Sequence, residues 1–469
     1  MLFASFYWRL FFMQAKWLQA TTENATTAPV LYMETIEVPH LSALSFFAAG
    51  KEQFAQQRFY WQNREKTFTL VGLGHAYTMT FEGEQGRFDH VEQQWQQLTA
   101  TMHKEGIVDV QPMLFGGFTF DPSNTVQSEW ASFPDAFFAL ATYQVIEQHG
   151  RCFVTIHVVS EEAVDEDTLQ ALRNERDAFI AAANEAVTYK KPVATSYFEP
   201  HKIDYLASID RVTSLIQQKE AQKVVIARPL ALTFEERVTA EQALAQVIEE
   251  QPSSYLFGLA HEELFFFGAS PERLVKVDAH KAYSSCVAGS IKRGATKDED
   301  EALGASLLAD IKNLEEHQYV VDMIAETFRQ SCHNVVLPNG PQLLQIRDIQ
   351  HLFTPVEGEL NEEATILSLV KYLHPTPALG GVPRDAAMAI IREYEPMNRG
   401  LYAAPIGWLD AEGNGEFAVA IRSAAIVGQD AYLYAGGGIV GDSKAQSEYE
   451  ETLVKFRPML RALGGNIHE

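Results

Sequence analysis

The sequence predicts a mixed α+β fold in which large antiparallel sheets form a two-lobed β-sandwich with helices on the outside. Short segments of alternating apolar and polar residues indicate strands, and turn-rich connections between them indicate hairpins. Several longer segments repeat apolar residues at helical spacing. Because hairpin-like strands stand beside long helices rather than alternating with them, a doubly wound parallel sheet is disfavoured.

Residues 31–200 form the first predicted region of this fold. Strands are predicted where apolar residues alternate, at Phe68–Val71, Ala76–Phe81 and Cys152–Val158. The segment Phe-Gly-Gly-Phe-Thr-Phe-Asp-Pro at 115–122 is typical of a strand that leads into a turn. A long polar helix is predicted over Glu162–Thr188, and the lysines and prolines of residues 189–200 indicate a boundary.

Residues 201–465 form the second predicted region, and residues 1–30 an N-terminal extension of uncertain role. The predicted elements of the second region are a strand at Lys223–Arg228, two strands within Tyr255–Gly268, a long helix over Leu303–Ile324, a hairpin of Ala403–Leu409 with Glu416–Ala424, and a last helix over Gln446–Leu463. The hairpin prediction depends on Asp-Ala-Glu-Gly-Asn-Gly between its strands, which is turn chemistry.

Size and charge restrict the function. The chain has 469 residues, of which 46% are hydrophobic, enough for a large buried core. With 62 acidic and 37 basic residues its net charge is −25, which argues against nucleic acid or an anionic membrane as the main partner. If the substrate is an anion, the site must therefore supply its own lysine, arginine or metal ion.

The cysteines and the N-terminus indicate the compartment. Cys152, Cys286 and Cys332 have no metal-ligand spacing, which favours a reduced, cytoplasmic setting. Residues 1–20 are rich in aromatic and apolar side chains, and an upstream start, a weak anchor and a docking strand remain open for them. No later segment has the unbroken apolar length needed to cross a bilayer.

A loop at Leu373–Pro383 is the most informative segment. It reads Leu-His-Pro-Thr-Pro-Ala-Leu-Gly-Gly-Val-Pro, and its three prolines and two glycines exclude a helix interior and a central strand. A rigid, shaped loop of this kind favours a small-molecule site. The alternative is a plain connection between two helices. For an isolated cluster of prolines and glycines, that explanation would be favoured.

Acidic residues on two predicted helices are candidate metal ligands. Glu448, Glu451 and Lys455 share one face of the last helix, and Glu315 and Glu316 lie next to each other on the long helix. Carboxylates from two helices could hold magnesium, which takes one or two of them and keeps waters. From spacing alone a solvated acidic face is the commoner explanation, and helical periodicity leaves open whether Glu315 or Glu316 points inward.

Two residues at strand ends are candidates for acid–base chemistry. Lys223 opens an apolar strand, and desolvation there would favour the neutral form that a general base needs. Glu272 follows the strand Leu264–Phe267, and burial there would suit a general acid. The commoner explanations are a charged residue at a strand edge for Lys223 and a turn residue paired with Arg273 for Glu272.

Glycines and one arginine complete the candidates. Gly289 and Ser290 follow a predicted strand, and three glycines at 436–438 would let a ligand approach the backbone, although the segment lacks the ending of a Walker loop. Arg422 is predicted to lie within a strand over Ala420–Ala424, where a charge needs an anionic partner or an exit to solvent.

The order of these motifs is more specific than any one of them. Between residues 223 and 455 the chain carries Lys-Val-Val-Ile-Ala-Arg, Ser-Pro-Glu-Arg-Leu, Ala-Gly-Ser-x-x-Arg-Gly, Glu-His, His-Pro-Thr-Pro-Ala-Leu-Gly-Gly, Ile-Arg and Ala-Gly-Gly-Gly-Ile-Val, followed by Glu-x-x-Glu-x-x-x-Lys. This order resembles the chorismate-utilising enzymes, and within them the isochorismate synthases. The specific motifs cover residues 201–465, and the first region fits the longer members by general pattern.

The resemblance implies a fold, a reaction and a role for each matched residue. The fold would be that of chorismate-binding enzymes, and the reaction a magnesium-dependent addition of water at C2 of chorismate with loss of the C4 hydroxyl, for menaquinone or siderophore synthesis. Lys223 would activate water, Glu272 would protonate the departing hydroxyl, and magnesium would be held by Glu316 and Glu451. The implied substrate-binding residues are Gly289, Ser290, His374, Ala378, Leu379, Arg422, Gly436 and Lys455.

Three other functions are open. Relatives that use ammonia, the aminodeoxychorismate and anthranilate synthases, typically carry Pro-Ala-Gly-Thr or Pro-Gly-Gly-Ser where this chain has Pro-Thr-Pro-Ala at 375–378. They generally depend on an amidotransferase subunit, which is not expected here. A salicylate synthase would add pyruvate elimination. A binding subunit without turnover is disfavoured, because all four residues implied to act in catalysis and metal binding are present.

Overall fold

A computed structural model describes residues 29–39, 41–124, 128–185 and 188–465. Within these ranges the chain forms 21 strands and ten helices. The strands are β1 Val30–Val38, β2 Arg58–Gln62, β3 Phe68–Phe81, β4 Met102–Gly106, β5 Met113–Phe118, β6 Ala136–Gln148, β7 Arg151–Ser160, β8 Ala194–Phe198, β9 Lys223–Phe234, β10 Tyr255–His261, β11 Leu264–Ser270, β12 Arg273–Asp278, β13 Lys281–Lys292, β14 Cys332–Val336, β15 Gln342–Gln345, β16 Ile349–Leu360, β17 Gly381–Val382, β18 Pro405–Asp410, β19 Gly415–Val419, β20 Ser423–Val427 and β21 Asp430–Ile439. The helices are α1 Ala43–Ala49, α2 Arg87–Thr99, α3 Glu166–Ala183, α4 Lys202–Gln217, α5 Ala240–Glu250, α6 Lys297–Ala309, α7 Ile311–Ser331, α8 Ile366–Leu373, α9 Arg384–Tyr394 and α10 Ala445–Ala462.

The strands form one hydrogen-bonded network with two arms that meet at β6. From β6 the first arm runs through β3, β2, β10, β11, β20, β21 and β9. The second arm runs through β5, β18, β19, β12, β13 and β16. All of these pairs are antiparallel, and α4, α9 and α10 pack on the first arm while α7 packs on the second. The prediction of large antiparallel sheets flanked by helices is confirmed.

The strands of the first arm are buried on both faces. On β2, Phe59 and Trp61 belong to one large apolar cluster and Tyr60 to another. On β11, Phe266 belongs to the first cluster and Phe267 to the second. Since successive side chains of a strand point to opposite faces, this arm has one core on each side. Two-sided burial explains why these strands are almost continuously apolar.

The chain passes between the two arms at two places that lie side by side. After β11 it crosses through Ser270–Glu272 into β12, and after β19 it crosses through Ala420–Arg422 into β20. The Ala269 N–H donates to the Arg422 carbonyl over 3.0 Å, and the Val419 N–H donates to the Glu272 carbonyl over 3.1 Å. These two bonds hold the crossings together.

Two predicted elements are wrong, and in both cases one residue breaks the pattern. The long helix over Leu303–Ile324 is two helices, because the Asp310 carboxylate accepts the Asn313 N–H at 2.8 Å and caps α7. The predicted strand at Ala420–Ala424 is interrupted, because Arg422 has a φ of +51°, in the left-handed region.

The strands predicted at Phe68–Val71 and Ala76–Phe81 are one strand, β3, and the other predicted elements are present with shifted ends. The polar helix is shorter than predicted, since α3 begins after Asp165, which accepts the Thr168 N–H at 2.7 Å, and ends at Ala183. The hairpin is confirmed as β18 with β19, and the last helix as α10. The strand that opens with Lys223 is longer than predicted and reaches Phe234.

The two predicted regions share the sheet. β2 of the first region pairs with β10 of the second, and β5 pairs with β18. The division at residue 200 stays a prediction, and residues 1–28 lie outside the described ranges. In those ranges no helix is long and apolar enough to cross a membrane. The three cysteines are buried free thiols.

We predict that Gly116→Ala on β5 destabilises the protein. A Cβ at Gly116 would lie 1.9 Å from the Phe137 carbonyl oxygen and 2.7 Å from Phe138 Cα. Both neighbours are backbone of β6, where the arms meet, so the strands would have to separate at a cost of about 1–3 kcal/mol. Chemical denaturation measures the loss. Gly340→Ala is the control, because nothing lies within 4 Å of a Cβ there; equal stabilities of the two variants would contradict the prediction.

Candidate active site

Lys223 lies at the beginning of β9 and is 1% exposed. β9 pairs with β21 on one edge and with the short β17 on the other, which places the lysine at the end of the first arm. Its Nζ donates to Glu316 Oε1 over 2.5 Å. A Cβ at Gly438 would lie 2.5 Å from Lys223 Cε and 3.3 Å from that carboxylate oxygen. The last of the three glycines therefore leaves room for the lysine.

Of the two adjacent acids on α7, Glu316 is the one that faces Lys223, while Glu315 is exposed. Helix α7 is held in this rotation by buried His317, which donates from Nδ1 to the Ala288 carbonyl at 3.2 Å and lies 2.8 Å from Thr354 Oγ1. Burial by itself would raise the pKa of Glu316, and the attraction of Lys223 outweighs it, so the pKa is lowered. Glu316 is therefore an ionised carboxylate with 30% of its side chain exposed.

Glu272 lies at the crossing from β11 to β12 and is 3% exposed. Burial raises the pKa of its carboxyl group to about 8, and the charges of Lys223 and Arg422 reduce the shift only in part. Glu272 therefore holds its proton at neutral pH, as a general acid must. The alternative of a turn residue paired with Arg273 does not hold, because Arg273 Nε donates to Glu416 at 2.8 Å instead.

Arg422 lies at the other crossing and is also buried. Among the residues that the structure describes, no carboxylate forms an ion pair with its guanidinium and no side chain hydrogen-bonds to it. Burial lowers its pKa, and Tyr402, Glu451, Asp348 and Glu272 counteract this only through longer-range attraction. A buried cation without an ion pair is costly, so the arrangement indicates a site for an anion.

The last helix contributes two acids and a lysine. Lys455 Nζ forms an ion pair of 2.5 Å with Glu451 and donates to the Gly436 carbonyl at 2.8 Å. The attraction of Lys455 lowers the pKa of Glu451. Glu448 accepts from Ser443 Oγ at 2.6 Å, and its other oxygen is 3.3 Å from where a Cβ at Gly437 would lie. Helix α10 thus brings carboxylates to the glycine segment of β21.

Gly289 and Ser290 form a β-bulge on β13. Gly289 has a φ of +75°, and the pairing with β16 shifts between Ala288 and Ser290. The Ser290 hydroxyl and His351 Nδ1 are 2.7 Å apart. Burial, together with the charges of Arg422 and Lys455, lowers the pKa of His351 to about 3. His351 is therefore a neutral imidazole between Ser290 and the two cations.

The proline-rich loop, Leu373–Pro383, lies along β9. The Val225 N–H donates to the Gly380 carbonyl at 2.8 Å, and the Leu379 carbonyl accepts from Arg399 at 2.8 Å. His374 contacts Phe120 instead of the other predicted site residues, since its Nε2 is 3.1 Å from the Phe120 carbonyl oxygen. Ala378 is partly buried. The roles of His374, Ala378 and Leu379 toward a substrate stay predictions.

Sequence reasoning identified part of this cluster. The predicted residues that interact directly with one another or through charge are Lys223, Glu272, Glu316, Arg422, Glu451 and Lys455. It missed His351 and Tyr402, which lie beside Ser290 and Arg422. Each is one polar residue within an apolar segment, a signal that more often marks a satisfied core residue.

Comparisons with known proteins give the family. The chorismate binding enzyme family matches residues 16–464. The chain is 43% identical to the isochorismate synthase MenF of Bacillus subtilis, covering 93% of this chain and 94% of that one. It is 36% identical to the salicylate biosynthesis isochorismate synthase of Pseudomonas aeruginosa, over 94% and 92% of the two chains.

Solved structures agree with this assignment. MenF of Escherichia coli, the menaquinone-specific isochorismate synthase, superimposes with a TM-score of 0.77 at 26% identity over 96% of this chain and 98% of that one. Anthranilate synthase component I of Streptococcus pneumoniae shares the fold, with a TM-score of 0.67 at 23% identity over 84% and 92% of the two chains. The chain belongs to the chorismate-binding enzyme family. The resemblance predicted from the motifs is confirmed.

We predict that Glu272 makes folding stability depend on pH. Its pKa is about 8 in the folded protein and about 4 when unfolded. Between these values the folded chain holds a proton that the unfolded chain releases, so stability falls as the pH rises and the loss is complete above the folded pKa. Glu272→Gln removes this titration, so its melting temperature should decrease less between about pH 6 and about pH 9 than that of the wild type. Thermal melts measure this. Glu315→Gln is the control, because Glu315 is an exposed acid on α7. Equal pH dependence of Glu272→Gln and wild type would show that Glu272 is not a buried neutral acid.

Proposed function

We propose that this chain is an isochorismate synthase that adds water at C2 of chorismate while the C4 hydroxyl leaves. The observation that carries the proposal is the meeting of Lys223, the buried acid Glu272 and the buried guanidinium of Arg422 in one site. Chorismate is a ring with two carboxylates and a hydroxyl, so its conversion needs an anion site, a base and an acid. The isochorismate synthases among the relatives support the same reaction.

Lys223 and Glu272 divide the proton transfers between them. Lys223 would take a proton from the attacking water as the general base, and Glu272, protonated because it is buried, would give one to the departing hydroxyl. The charge of Lys223 acts on Glu272, and we propose that the substrate ring lies between base and acid. Lys223 Nζ donates to Glu316, so the lysine must leave this carboxylate to act as a base.

A magnesium ion fits the acids on α7 and α10. Glu316 and Glu451 provide the oxygen donors that magnesium prefers. The negative charge of Glu451 opposes part of the lowering of the Glu316 pKa, a repulsion that a cation would relieve. No group of three or more candidate metal-binding side chains occurs in the part of the chain that the structure describes. Two carboxylates would leave the other positions to water and substrate, as is usual for magnesium. When bound, the ion would neutralise and orient the ring carboxylate.

The substrate carboxylates would bind to local cations and to backbone. Arg422 and Lys455 supply positive charge inside a protein of net charge −25. The Ser290 hydroxyl lies beside His351, and the Gly289 bulge and Gly436 are proposed to expose backbone N–H groups to a carboxylate. Ala378, Leu379 and His374 of the proline-rich loop are proposed to line the ring.

The cellular role is proposed from the relatives. MenF of Escherichia coli is a menaquinone-specific isochorismate synthase, which favours the menaquinone branch for this chain. The relative from Pseudomonas aeruginosa serves salicylate biosynthesis, so a siderophore branch is the alternative. We propose a cytoplasmic enzyme that needs neither an amidotransferase subunit nor nucleic acid.

We predict that the purified protein converts chorismate to isochorismate in the presence of magnesium. Adding ammonium should not change the product. Chromatography and NMR identify the product. Lys223→Gln should reduce the rate by about 10²-fold or more, because a general base is lost. An aminated product would indicate an ammonia-using synthase, salicylate would indicate pyruvate elimination, and no turnover would indicate a binding subunit. A near wild-type rate in folded Lys223→Gln would overturn the assignment of the base.

We also predict that turnover requires magnesium. A chelator should abolish turnover, and added magnesium should restore it. Glu316→Gln and Glu451→Gln should each fold but turn over very slowly, because neutral amides are poor magnesium ligands. Magnesium should also raise the melting temperature of the wild type and not that of these variants. Glu315→Gln is the matched control, since the neighbouring carboxylate points to solvent and should be dispensable. Full activity in excess chelator would contradict the metal assignment.

A further inference from the structure

An ion pair outside the predicted motifs is buried beside the catalytic strand. Glu395 directly follows α9, and Arg399 is four residues later in the connection to β18. Their side chains are 0% and 2% exposed. Arg399 binds the carboxylate with two nitrogens, Nε to Oε1 at 2.7 Å and Nη2 to Oε2 at 2.6 Å. Because a buried ion pair is expensive to desolvate, it is weak evidence for stability alone, and what else the pair binds is informative.

The remaining hydrogen bonds of the pair go to the backbone on either side of it. Arg399 Nη1 donates to the Leu379 carbonyl at 2.8 Å, and Nη2 donates to the Val225 carbonyl at 2.9 Å. The Ala227 N–H donates to Glu395 Oε2 at 2.8 Å. Leu379 belongs to the proline-rich loop, and Val225 and Ala227 follow Lys223 on β9. The pair therefore joins the loop to the strand that carries the proposed base.

The pair also completes a stretch of one edge of β9 that no strand of the described residues covers. On this edge β17 pairs with Lys223 and Val224, and β8 pairs from Ala231 onward. Between them, Val225 and Ala227 present a carbonyl and an N–H that must be paired because they are buried. The next residue with the same orientation is Pro229, which has no N–H to satisfy. Two charged side chains thus do what a neighbouring strand would do.

The loop is connected to the same guanidinium at a second point. The Arg399 guanidinium lies 4.2 Å from the centre of the Phe120 ring, and the Phe120 carbonyl accepts from His374 at 3.1 Å. His374 lies near the start of the proline-rich segment and Leu379 near its middle. Arg399 thus holds the loop directly through Leu379 and indirectly through Phe120 and His374.

We propose that Glu395 and Arg399 are positioning residues that set the distance between Lys223 and the loop proposed to line the substrate ring. This inference rests on the proposed function, since it needs Lys223 to act on a substrate bound against Ala378 and Leu379. The pair touches neither substrate nor reacting atoms and acts through the backbone of Leu379, Val225 and Ala227. Small displacements of a base relative to a bound ring cost rate, about 10²-fold for about 1 Å.

The test replaces the pair by apolar residues of similar size, in Glu395→Leu/Arg399→Met. The double substitution leaves no buried charge unpaired. It also removes the partners of three buried backbone groups, so its melting temperature should fall. The matched control is Glu241→Leu/Arg58→Met, which removes a second buried ion pair, with side chains 4% and 5% exposed, that connects β2 to α5. Both variants are assayed for melting temperature, for kcat and KM with chorismate, and for hydrogen exchange without substrate.

We expect kcat of Glu395→Leu/Arg399→Met to fall by about 10- to 100-fold, with a much smaller change in KM, while the control keeps wild-type kcat. Hydrogen exchange should become faster in residues 223–227 and 374–382 of the test variant and not of the control. Should the double variant fail to fold, Arg399→Lys keeps the charge but cannot reach both carbonyls, and the same loss of kcat is expected.

Two results would overturn the inference. One is a kcat equal to that of the control variant, which would make the pair merely structural. The other is unchanged exchange in both segments, which does not depend on any activity. Failure of the wild type to convert chorismate would instead refute the proposed function, and the exchange measurement would still decide whether the pair holds the loop to β9.

Discussion

The paired crossings between the two arms of the sheet are the constraint on which the site depends. Backbone groups at such a crossing leave their own strands, and because they are buried they must find other partners. Here each crossing satisfies the other, through Ala269 with Arg422 and Val419 with Glu272. Two of these four residues are Glu272, the proposed acid, and Arg422, the buried guanidinium. Their relative position is therefore set by the backbone of the fold.

Burial gives the charged groups of the site different protonation states. Glu272 lies away from direct ion pairs and is neutral because it is buried, whereas Glu316 and Glu451 each contact a lysine and stay ionised. The cations are local, at Lys223, Arg422 and Lys455, within a strongly acidic chain. An anion is thus attracted where these side chains meet, and a neutral acid and the ionised carboxylates proposed to hold a metal can lie side by side.

Strand β9, which carries the proposed base Lys223, is supported on both edges by different means. β21 pairs with it along its whole length on one edge and brings the glycines that make room for Lys223. On the other edge β17, the Glu395–Arg399 pair and β8 follow one another. Precise placement of reactive groups requires support of this kind from residues behind them. It also explains why a loop rich in proline and glycine can be well placed, because Gly380 and β17 bond it to β9.

The sequence by itself determined the family, the antiparallel architecture and the residue types of the site, because motif order and local periodicity are written in consecutive residues. Helical periodicity left Glu315 and Glu316 open; the resemblance implied Glu316, and the tertiary structure turns Glu316 toward Lys223. Only the tertiary structure decided that His351 contacts Ser290 and that Tyr402 interacts with Arg422 through charge. It also decided the break at Arg422, whose left-handed conformation follows from the crossing and from no local signal. The physical reason is range. Periodicity reports on one element, whereas burial, pKa shifts and contacts between residues far apart in the chain depend on how the elements pack.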